Sequence, residues 1–490
     1  MALRITEPHA RSIAAIGLVL LIFLVTATSR AIAIGPLSLD TIVMGTPLAI
    51  LLCLPYVRYR GIGSAPRYLL GASALVFLLM AVLSVAWNGA KADSYLTVAR
   101  YVSYLLLALV VSIGARDAAF RRVLLWAMAI AGAATTVLAF SQFLNPPPLI
   151  PGEAYLGVDI KTRVAGTFYN SNFYAEYLVL LSGVIIALFL TEKGWAKAVA
   201  GAIGIAGAVA LFLTYTRGSW IALAVGLVVL IILTDIRFLA VLVAGAAVAV
   251  VAVPGVLTRL SASTANEKTA SFRLGLWKVA GETIKRHPAL GVGIGEFLTG
   301  YREVVSTRPE LYVGYLGFGA HNAYFALSAE IGLIGGISFL VLTLMYATRG
   351  LFVATRANIS DEIKYTALGL SVGLIGFVVN TFTSNTFQHP QPALFFWIIS
   401  GIVAGLGVGL WQTDIRPQRC ADGVGEGLVR GSTISSWVSR LRHAADSLWR
   451  QSFVFSRVAL PEKPDDGWFT SSVVMRVLFG SGGTGAQKNG

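Results

Sequence analysis

The chain has 490 residues, of which 56% are hydrophobic and only 13% are charged, and its mean hydropathy is +0.74. Soluble domains carry about 25% charged residues, so this composition excludes a soluble fold. The net charge of +14 favours basic loops beside lipid headgroups over a nucleic-acid-binding surface, because basic residues of membrane proteins collect in such loops.

Long apolar runs recur along most of the chain and predict about a dozen spanning helices. Each run has roughly 18 residues or more and can cross about 30 Å of hydrocarbon. Closed barrels lack such runs, so the expected fold class is all-α and polytopic. Arg4 and Arg11 precede the first run, which is long enough to be a retained signal-anchor. The predicted spans are 12–34, 39–57, 68–88, 95–114, 122–144, 167–190, 197–214, 219–235, 237–254, 322–345, 363–385 and 391–411.

Twelve spans would place both chain termini on the same side of the membrane. The short loops on that side carry Arg58, Arg60, Arg67, Arg116, Arg121, Arg122, Lys193, Lys197, Arg237, Arg349, Arg356 and Lys364. The loops on the opposite side carry fewer basic residues, namely Arg30, Lys91, Lys161, Arg163 and Arg217. By the positive-inside rule, both termini are predicted to be cytoplasmic.

These spans divide the chain into four segments. Spans 1–9 occupy 1–254, a large outer loop occupies 255–320, spans 10–12 occupy 321–411, and a cytoplasmic tail occupies 412–490. Within the tail, 432–458 places apolar residues on one side of a helix, which is typical of an interfacial helix on an anionic leaflet. A partly disordered tail is the alternative, and the Gly-rich end from 480 to 490 is predicted to be disordered.

The outer loop is the only long connection between the predicted spans, and loops of such length are usually functional. Its 271–286 segment places Phe272, Trp277 and Ile284 on one helical face, so we predict a helix there that ends before Pro288. The following Gly291-Val292-Gly293-Ile294-Gly295 predicts a tight backbone turn, because no strand precedes it as a dinucleotide site would require. The smaller outer loop at 145–163 is rich in proline and should be stiff.

Three polar positions are predicted to lie where an outer helix begins. Arg217 enters the eighth span, Arg273 falls in the first turn of the predicted loop helix, and His321 opens the tenth span. A cation at the positive end of a helix suggests a bound anion, and the same end would lower the pKa of a histidine. Lipid snorkelling for Arg217, a solvated surface for Arg273 and simple helix capping for His321 are the alternatives.

Together the three positions suit a polyanion with a nearby proton transfer, which suggests group transfer from a phosphate-bearing lipid. The outward acids Glu153, Asp159, Glu267, Glu282, Glu296, Glu303 and Glu310 form no metal-ligand spacing. The two cysteines, Cys53 and Cys420, cannot build a metal cluster. We therefore predict no metal and no cofactor, with arginines supplying the leaving-group stabilisation.

Six motifs follow one another in a fixed order along the chain. They are Gly166-Thr167-Phe168-Tyr169-Asn170-Ser171-Asn172, Tyr215-Thr216-Arg217-Gly218-Ser219-Trp220, Arg273 with Trp277, the Pro288 to Gly295 stretch, His321-Asn322-Ala323-Tyr324, and Glu330-Ile331-Gly332-Leu333-Ile334-Gly335. In this order they resemble the O-antigen ligase and polymerase superfamily of bacterial envelope glycan enzymes. The resemblance covers roughly 166–335, and the first five spans fit in number and hydropathy only.

The resemblance implies a metal-independent, inverting glycosyltransferase with a GT-C-like fold in the bacterial inner membrane. It implies a donor glycan on undecaprenyl pyrophosphate, an acceptor hydroxyl on lipid A-core or a growing glycan, and an active site at the periplasmic face. Arg217 and Arg273 take the place of the family's pyrophosphate-binding arginines, and His321 takes that of its essential histidine. Asn170, Asn172, Asn322 and Tyr324 are implied to contact substrate.

Two alternatives remain open at the level of sequence. An O-antigen or exopolysaccharide polymerase would use the same donor and a different acceptor, and no residue pattern identifies the acceptor. A lipid-linked glycan flippase or other transporter would place charges near mid-membrane. Glu176 and Glu330 are the main acids inside the predicted spans, and both lie toward outer ends, which favours an outer-face site.

Overall fold

A computed structural model describes residues 6–27, 32–34, 37–39, 41–61, 71–89, 91–146, 163–168, 170–234, 238–252, 263–314, 319–356 and 359–406. The chain divides into two compact units, one comprising 1–69 with 73–408 and the other 70–72 with 409–490. Everything below concerns the first unit. The predicted interfacial helix at 432–458 lies outside the described residues, as does most of the proline-rich loop.

The described part is built almost entirely of helices. They are α1 (Glu7–Ala27), α2 (Thr41–Arg60), α3 (Ala72–Asn88), α4 (Ala92–Gly114), α5 (Ala118–Leu144), α6 (Ser171–Thr191), α7 (Gly194–Leu213), α8 (Arg217–Leu233), α9 (Phe238–Ala252), α10 (Ser263–Arg286), α11 (Phe297–Thr307), α12 (Ala323–Ala354), α13 (Asp361–Thr381) and α14 (Pro390–Leu406). One antiparallel hairpin pairs β1 (Ile32–Ile34) with β2 (Leu37–Leu39).

This is an all-helical polytopic membrane protein, apart from that hairpin. Within the described residues, seven helices are long and apolar enough to cross a membrane, and α3, α8 and α14 are shorter apolar helices. Each predicted span overlaps one observed helix. The first span was predicted to continue to residue 34, which is wrong: α1 ends at Ala27 and 32–34 form a strand. Gly35-Pro36 follows that strand in the sequence, and this pair breaks helices.

The loop helix α10 is longer than predicted. It begins at Ser263 instead of residue 271, because 263–270 are mostly polar and show no apolar stripe for periodicity to detect. It ends at Arg286, before Pro288, as predicted. Helix α11 was not predicted, although its buried Phe297, Tyr301 and Val304 have the helical spacing that would have indicated it.

Residues that the predicted topology assigns to one membrane face contact one another. At the end of the bundle that carries the N-terminus, Arg11 binds Asp117 at 2.9 Å. At the opposite end, Arg163 Nε donates to the Thr214 carbonyl at 2.8 Å. Both contacts join residues that the predicted topology places on the same side, and the side that faces the cytoplasm stays a prediction.

Helix α13 packs against both α6 and α8, and this arrangement positions the N-terminal ends of those two helices. A Cβ at Gly183 of α6 would lie 2.7 Å from the backbone nitrogen of Gly373 in α13, so the two backbones approach closely, which small residues permit. At the start of α8, Asn380 Nδ2 donates to Ser219 Oγ at 3.1 Å. This hydrogen bond joins the start of α8 to the end of α13.

Helix α12 is broken after Glu330, where Gly332 has φ +79°. The carbonyls of Ala329 and Glu330 accept hydrogen bonds from the backbone N–H groups of Val292 and Gly293, at 3.0 and 2.8 Å. The glycine-rich stretch of the outer loop turns tightly, as predicted, and docks its backbone onto the broken helix. This contact satisfies carbonyls that the break removes from the helical ladder.

Replacing Gly332 with alanine is expected to destabilise the protein by at least about 1–3 kcal/mol, the cost of a non-glycine residue held in a left-handed conformation. The added Cβ would also lie 2.1 Å from the Ala289 carbonyl oxygen, so the docked loop would have to move. Gly281→Ala in α10 is the matched control, because its Cβ meets nothing within 4 Å. Thermal unfolding in detergent checks both variants, and equal melting temperatures for Gly332→Ala and wild type would contradict the role of the break.

Candidate active site

Arg217 is the first residue of α8 and follows a tight turn, as the sequence predicted. Tyr215 in that turn has φ +51°, a backbone conformation that non-glycine residues rarely adopt and that clusters at functional sites. Thr216 is the N-cap residue, but its side chain does not cap the helix. The guanidinium and the positive end of the helix dipole therefore lie together, which favours an anion at this point.

Arg163 and Asn172 hold the turn in place. Arg163 Nη2 donates to Asn172 Oδ1 at 2.9 Å, and the Thr216 hydroxyl donates to the same oxygen at 3.2 Å. Asn170 caps α6, with its Oδ1 accepting the backbone N–H of Asn172 at 2.7 Å. The two asparagines predicted to contact substrate thus lie beside the turn that precedes α8. Arg163 was not predicted to belong to the site, because its contacts with Thr214 and Thr216 join segments that are distant in sequence.

Arg273 lies about three turns into α10, so the prediction that it occupies the first turn of a helix is wrong. The helix dipole therefore gives no reason for an anion at Arg273. The structure supplies another reason, because it brings Arg273 close to Arg217. Burial, and then the positive charge of Arg217, lower the pKa of Arg273, while the carboxylate of Glu176 acts in the opposite direction. Two like charges held together are stabilised by a bound anion.

His321 precedes α12, and its backbone has φ +48°. Together with Tyr215 it is one of two non-glycine residues with positive φ in the described part of the chain. Its ring contacts that of Phe272 edge to face, with 6.0 Å between centroids. Burial, and then the charge of Arg273, lower the pKa of His321 to about 4. The predicted direction of this pKa shift is confirmed, but its cause is burial and Arg273 instead of the helix dipole.

Asn322 and Tyr324 organise the start of α12. Asn322 Oδ1 accepts the backbone N–H groups of Tyr324 and Phe325, at 3.0 and 3.1 Å, as the N-cap. Tyr324 is buried, and its hydroxyl lies 3.1 Å from Thr343 Oγ1. Both side chains therefore fix the backbone that carries His321, and their predicted contact with substrate stays a prediction.

Glu176 was noted in the sequence only as an acid inside a predicted span, and the structure places it beside Arg273. It is fully buried in the second turn of α6, and the Ser384 hydroxyl donates a hydrogen bond to its Oε1. Its Oε2 is buried without a hydrogen-bond partner among the described atoms. Its interaction with Arg273 is electrostatic, so an acidic side chain lies beside the arginine pair.

Four chain segments thus bring charged and titratable groups to one end of the helix bundle. The described residues place Arg217, Arg273, Glu176 and His321 within electrostatic reach of one another through Arg273. A paired cationic site beside a neutral imidazole can hold a diphosphate and accept a proton. The fold defines a multi-pass membrane protein, and this cluster is its candidate active site.

Residues 202–340 match the O-antigen ligase family, Wzy_C. The match covers less than a third of the chain and contains all three residues that were predicted to be catalytic. No curated protein matches the chain. The protein therefore carries an O-antigen ligase family domain, which implies enzymatic glycan transfer of the ligase or polymerase type, lipid-linked glycan substrates and the bacterial envelope.

Proposed function

We propose that the protein is an O-antigen ligase that moves a glycan from undecaprenyl pyrophosphate to a hydroxyl of lipid A-core. The observation that carries this proposal is the pairing of Arg217 and Arg273, two like charges drawn from separate helices, beside a neutral His321. A pyrophosphate diester is a dianion, and two guanidinium groups match its oxygens in charge and in geometry.

In the proposed reaction, the two arginines hold the pyrophosphate while the bond between the anomeric carbon and the phosphate oxygen breaks. Negative charge develops on that oxygen as it leaves, and the fixed guanidinium groups lower the cost of this charge. The lipid pyrophosphate departs with the electron pair of the broken bond. No metal is required for this stabilisation, because the arginines already supply the positive charge.

His321 accepts the proton of the acceptor hydroxyl as that oxygen forms its bond to the anomeric carbon. Its imidazole is neutral at physiological pH because its pKa is lowered to about 4. The positive φ of His321 and the Asn322 cap fix the direction from which the ring reaches the substrate. A single displacement of this kind inverts the anomeric configuration.

The proposed setting is a GT-C-like fold of about twelve spans in the bacterial inner membrane. Both termini are cytoplasmic and the site faces the periplasm, where lipid-linked glycans are joined to their acceptors. The excess of basic residues in the loops at the N-terminal end of the bundle supports this orientation.

A polymerase remains the second candidate, since it would use the same donor site and extend a growing glycan. A flippase is less well supported, because the described charges that surround Arg273 lie at the ends of helices and not at mid-membrane. Purified protein in detergent separates an enzyme from a transporter, since only an enzyme joins glycan to acceptor without a membrane.

We expect purified protein to transfer glycan from the undecaprenyl pyrophosphate donor to lipid A-core and to invert the anomeric centre. Chromatography of the products and NMR of the new linkage measure transfer and stereochemistry. Transfer to a second donor-linked glycan instead of lipid A-core would assign the polymerase activity. Retention of configuration would contradict the single displacement, and absence of transfer to either acceptor would contradict the proposed class.

A further inference from the structure

A cavity of about 260 Å³ lies next to the proposed active site and has no role in the mechanism above. Its lining comes from the outer turns of α4, the start of α11, α12 and the short turn before α14, and it includes Thr97, Arg100, Glu330 and Gln388. The volume lies just below the roughly 300–1,000 Å³ of small-molecule sites, so it suits a single ring.

The cavity lies close to His321, because the segment just before His321 lines it. Gly319, two residues before His321, lines the cavity. A Cβ at Gly319 would lie 2.5 Å from Asn385 Nδ2 and 2.7 Å from Gln388 Oε1, so the chain passes closely against these two amides. His389, which follows Gln388 in the chain, interacts electrostatically with both His321 and Arg100. The cavity therefore adjoins the segment that carries His321.

The polar groups of the cavity are held in fixed positions. Glu330 is buried, and its Oε2 accepts the backbone N–H of Gly295 at 3.0 Å, while its Oε1 lies 3.4 Å from Gln388 Nε2. The helix break after Glu330 and the docked glycine-rich stretch set this geometry. Each carboxylate oxygen can accept further hydrogen bonds, so the cavity presents acceptors in addition to the donors of Arg100.

The lining contains one basic and one acidic side chain, Arg100 and Glu330, so it does not bring two cations together as the arginine pair does. Tyr101, Phe297 and Phe387 supply apolar and aromatic surface to the same lining. A neutral ring bearing several hydroxyls combines apolar faces with groups that both donate and accept hydrogen bonds. We propose that this cavity is a subsite for one sugar ring next to the reacting bond, a role that rests on the proposed glycan transfer.

The ring can come from the acceptor or from the first sugar of the donor, and substitution of Thr97 separates these sources. Thr97→Trp fills the cavity, and Leu96→Trp is the matched control because Leu96 is exposed on the same helix. We expect Thr97→Trp to raise one apparent KM at least about tenfold. A higher KM for acceptor assigns an acceptor sugar, and a higher KM for donor assigns a donor sugar.

Unchanged KM values for both substrates in folded Thr97→Trp would overturn the subsite, as would a change in kcat alone. If Thr97→Trp fails to give folded protein by size-exclusion chromatography, Gln388→Met removes a polar contact without adding bulk and is judged by the same KM values. Failure of the proposed function is distinguishable, because wild type and Leu96→Trp would then show no transfer.

Discussion

Replacing His321 with glutamine is expected to lower the rate of glycan transfer about 10²–10⁴-fold, the usual contribution of a general base. Glutamine retains a polar planar side chain but cannot accept the proton from the acceptor hydroxyl. The apparent KM for the donor should change little, because the arginine pair is intact. Steady-state transfer assays on purified protein measure both quantities.

His287→Gln is the matched control for this substitution. His287 lies in the same outer loop, where its Nε2 is 2.8 Å from Glu303 Oε2, away from the arginine pair. We expect transfer by this variant to be close to that of wild type. Wild-type rates for His321→Gln would show that another group accepts the proton.

The pH dependence of wild-type transfer tests the same residue without mutation. The pKa of His321 is lowered from 6.5 to about 4 in the free protein, so kcat/KM should hold from neutral pH to about pH 5 and decline below it. A bound pyrophosphate favours the imidazolium form and raises this pKa, so the acid limb of kcat should lie at higher pH than that of kcat/KM. An acid limb of kcat/KM near 6.5 would contradict the buried neutral imidazole.

Local sequence patterns predicted those positions that depend only on neighbouring residues in the chain. Arg217 follows from a short turn between two apolar runs, and His321 from its place before the Asn322 cap. The start of α10 was predicted wrongly because a polar segment carries no periodic signal. For the same reason, the position of Arg273 within the helix was predicted wrongly. Glu176 and Ser384 are 208 positions apart, and nothing in either local sequence indicates their contact.

The break in α12 also depends on residues that are distant in sequence, so hydropathy does not predict it. The sequence Glu330-Ile331-Gly332 lies inside the predicted span 322–345, and hydropathy continues through it. The break is stable because the glycine-rich stretch of the outer loop supplies N–H groups to the freed carbonyls. That pairing between distant segments positions Glu330 in the cavity, so hydropathy alone predicts the span but not the side chain that it presents.

Replacing Arg273 with lysine is expected to lower kcat/KM for the donor by as much as about 10²–10³-fold, the usual loss when one preorganised charge-stabilising donor is removed. Lysine keeps the positive charge beside Glu176, but it loses the bidentate fork that fits phosphate oxygens. Arg286→Lys is the matched control in the same helix, since Arg286 contacts Glu303 and Thr307 at the far end of α10. It should transfer glycan at close to the wild-type rate.

The double variant Arg217→Lys/Arg273→Lys tests whether the two arginines act on one group. If both hold the same pyrophosphate, its displacement in either single variant already weakens the contact with the other arginine. The loss in the double variant should then be smaller than the product of the single losses, because residues that act as a unit are not additive. Strictly multiplicative losses would assign the arginines to separate anions, and full activity of Arg217→Lys would mean that Arg217 only contacts lipid headgroups.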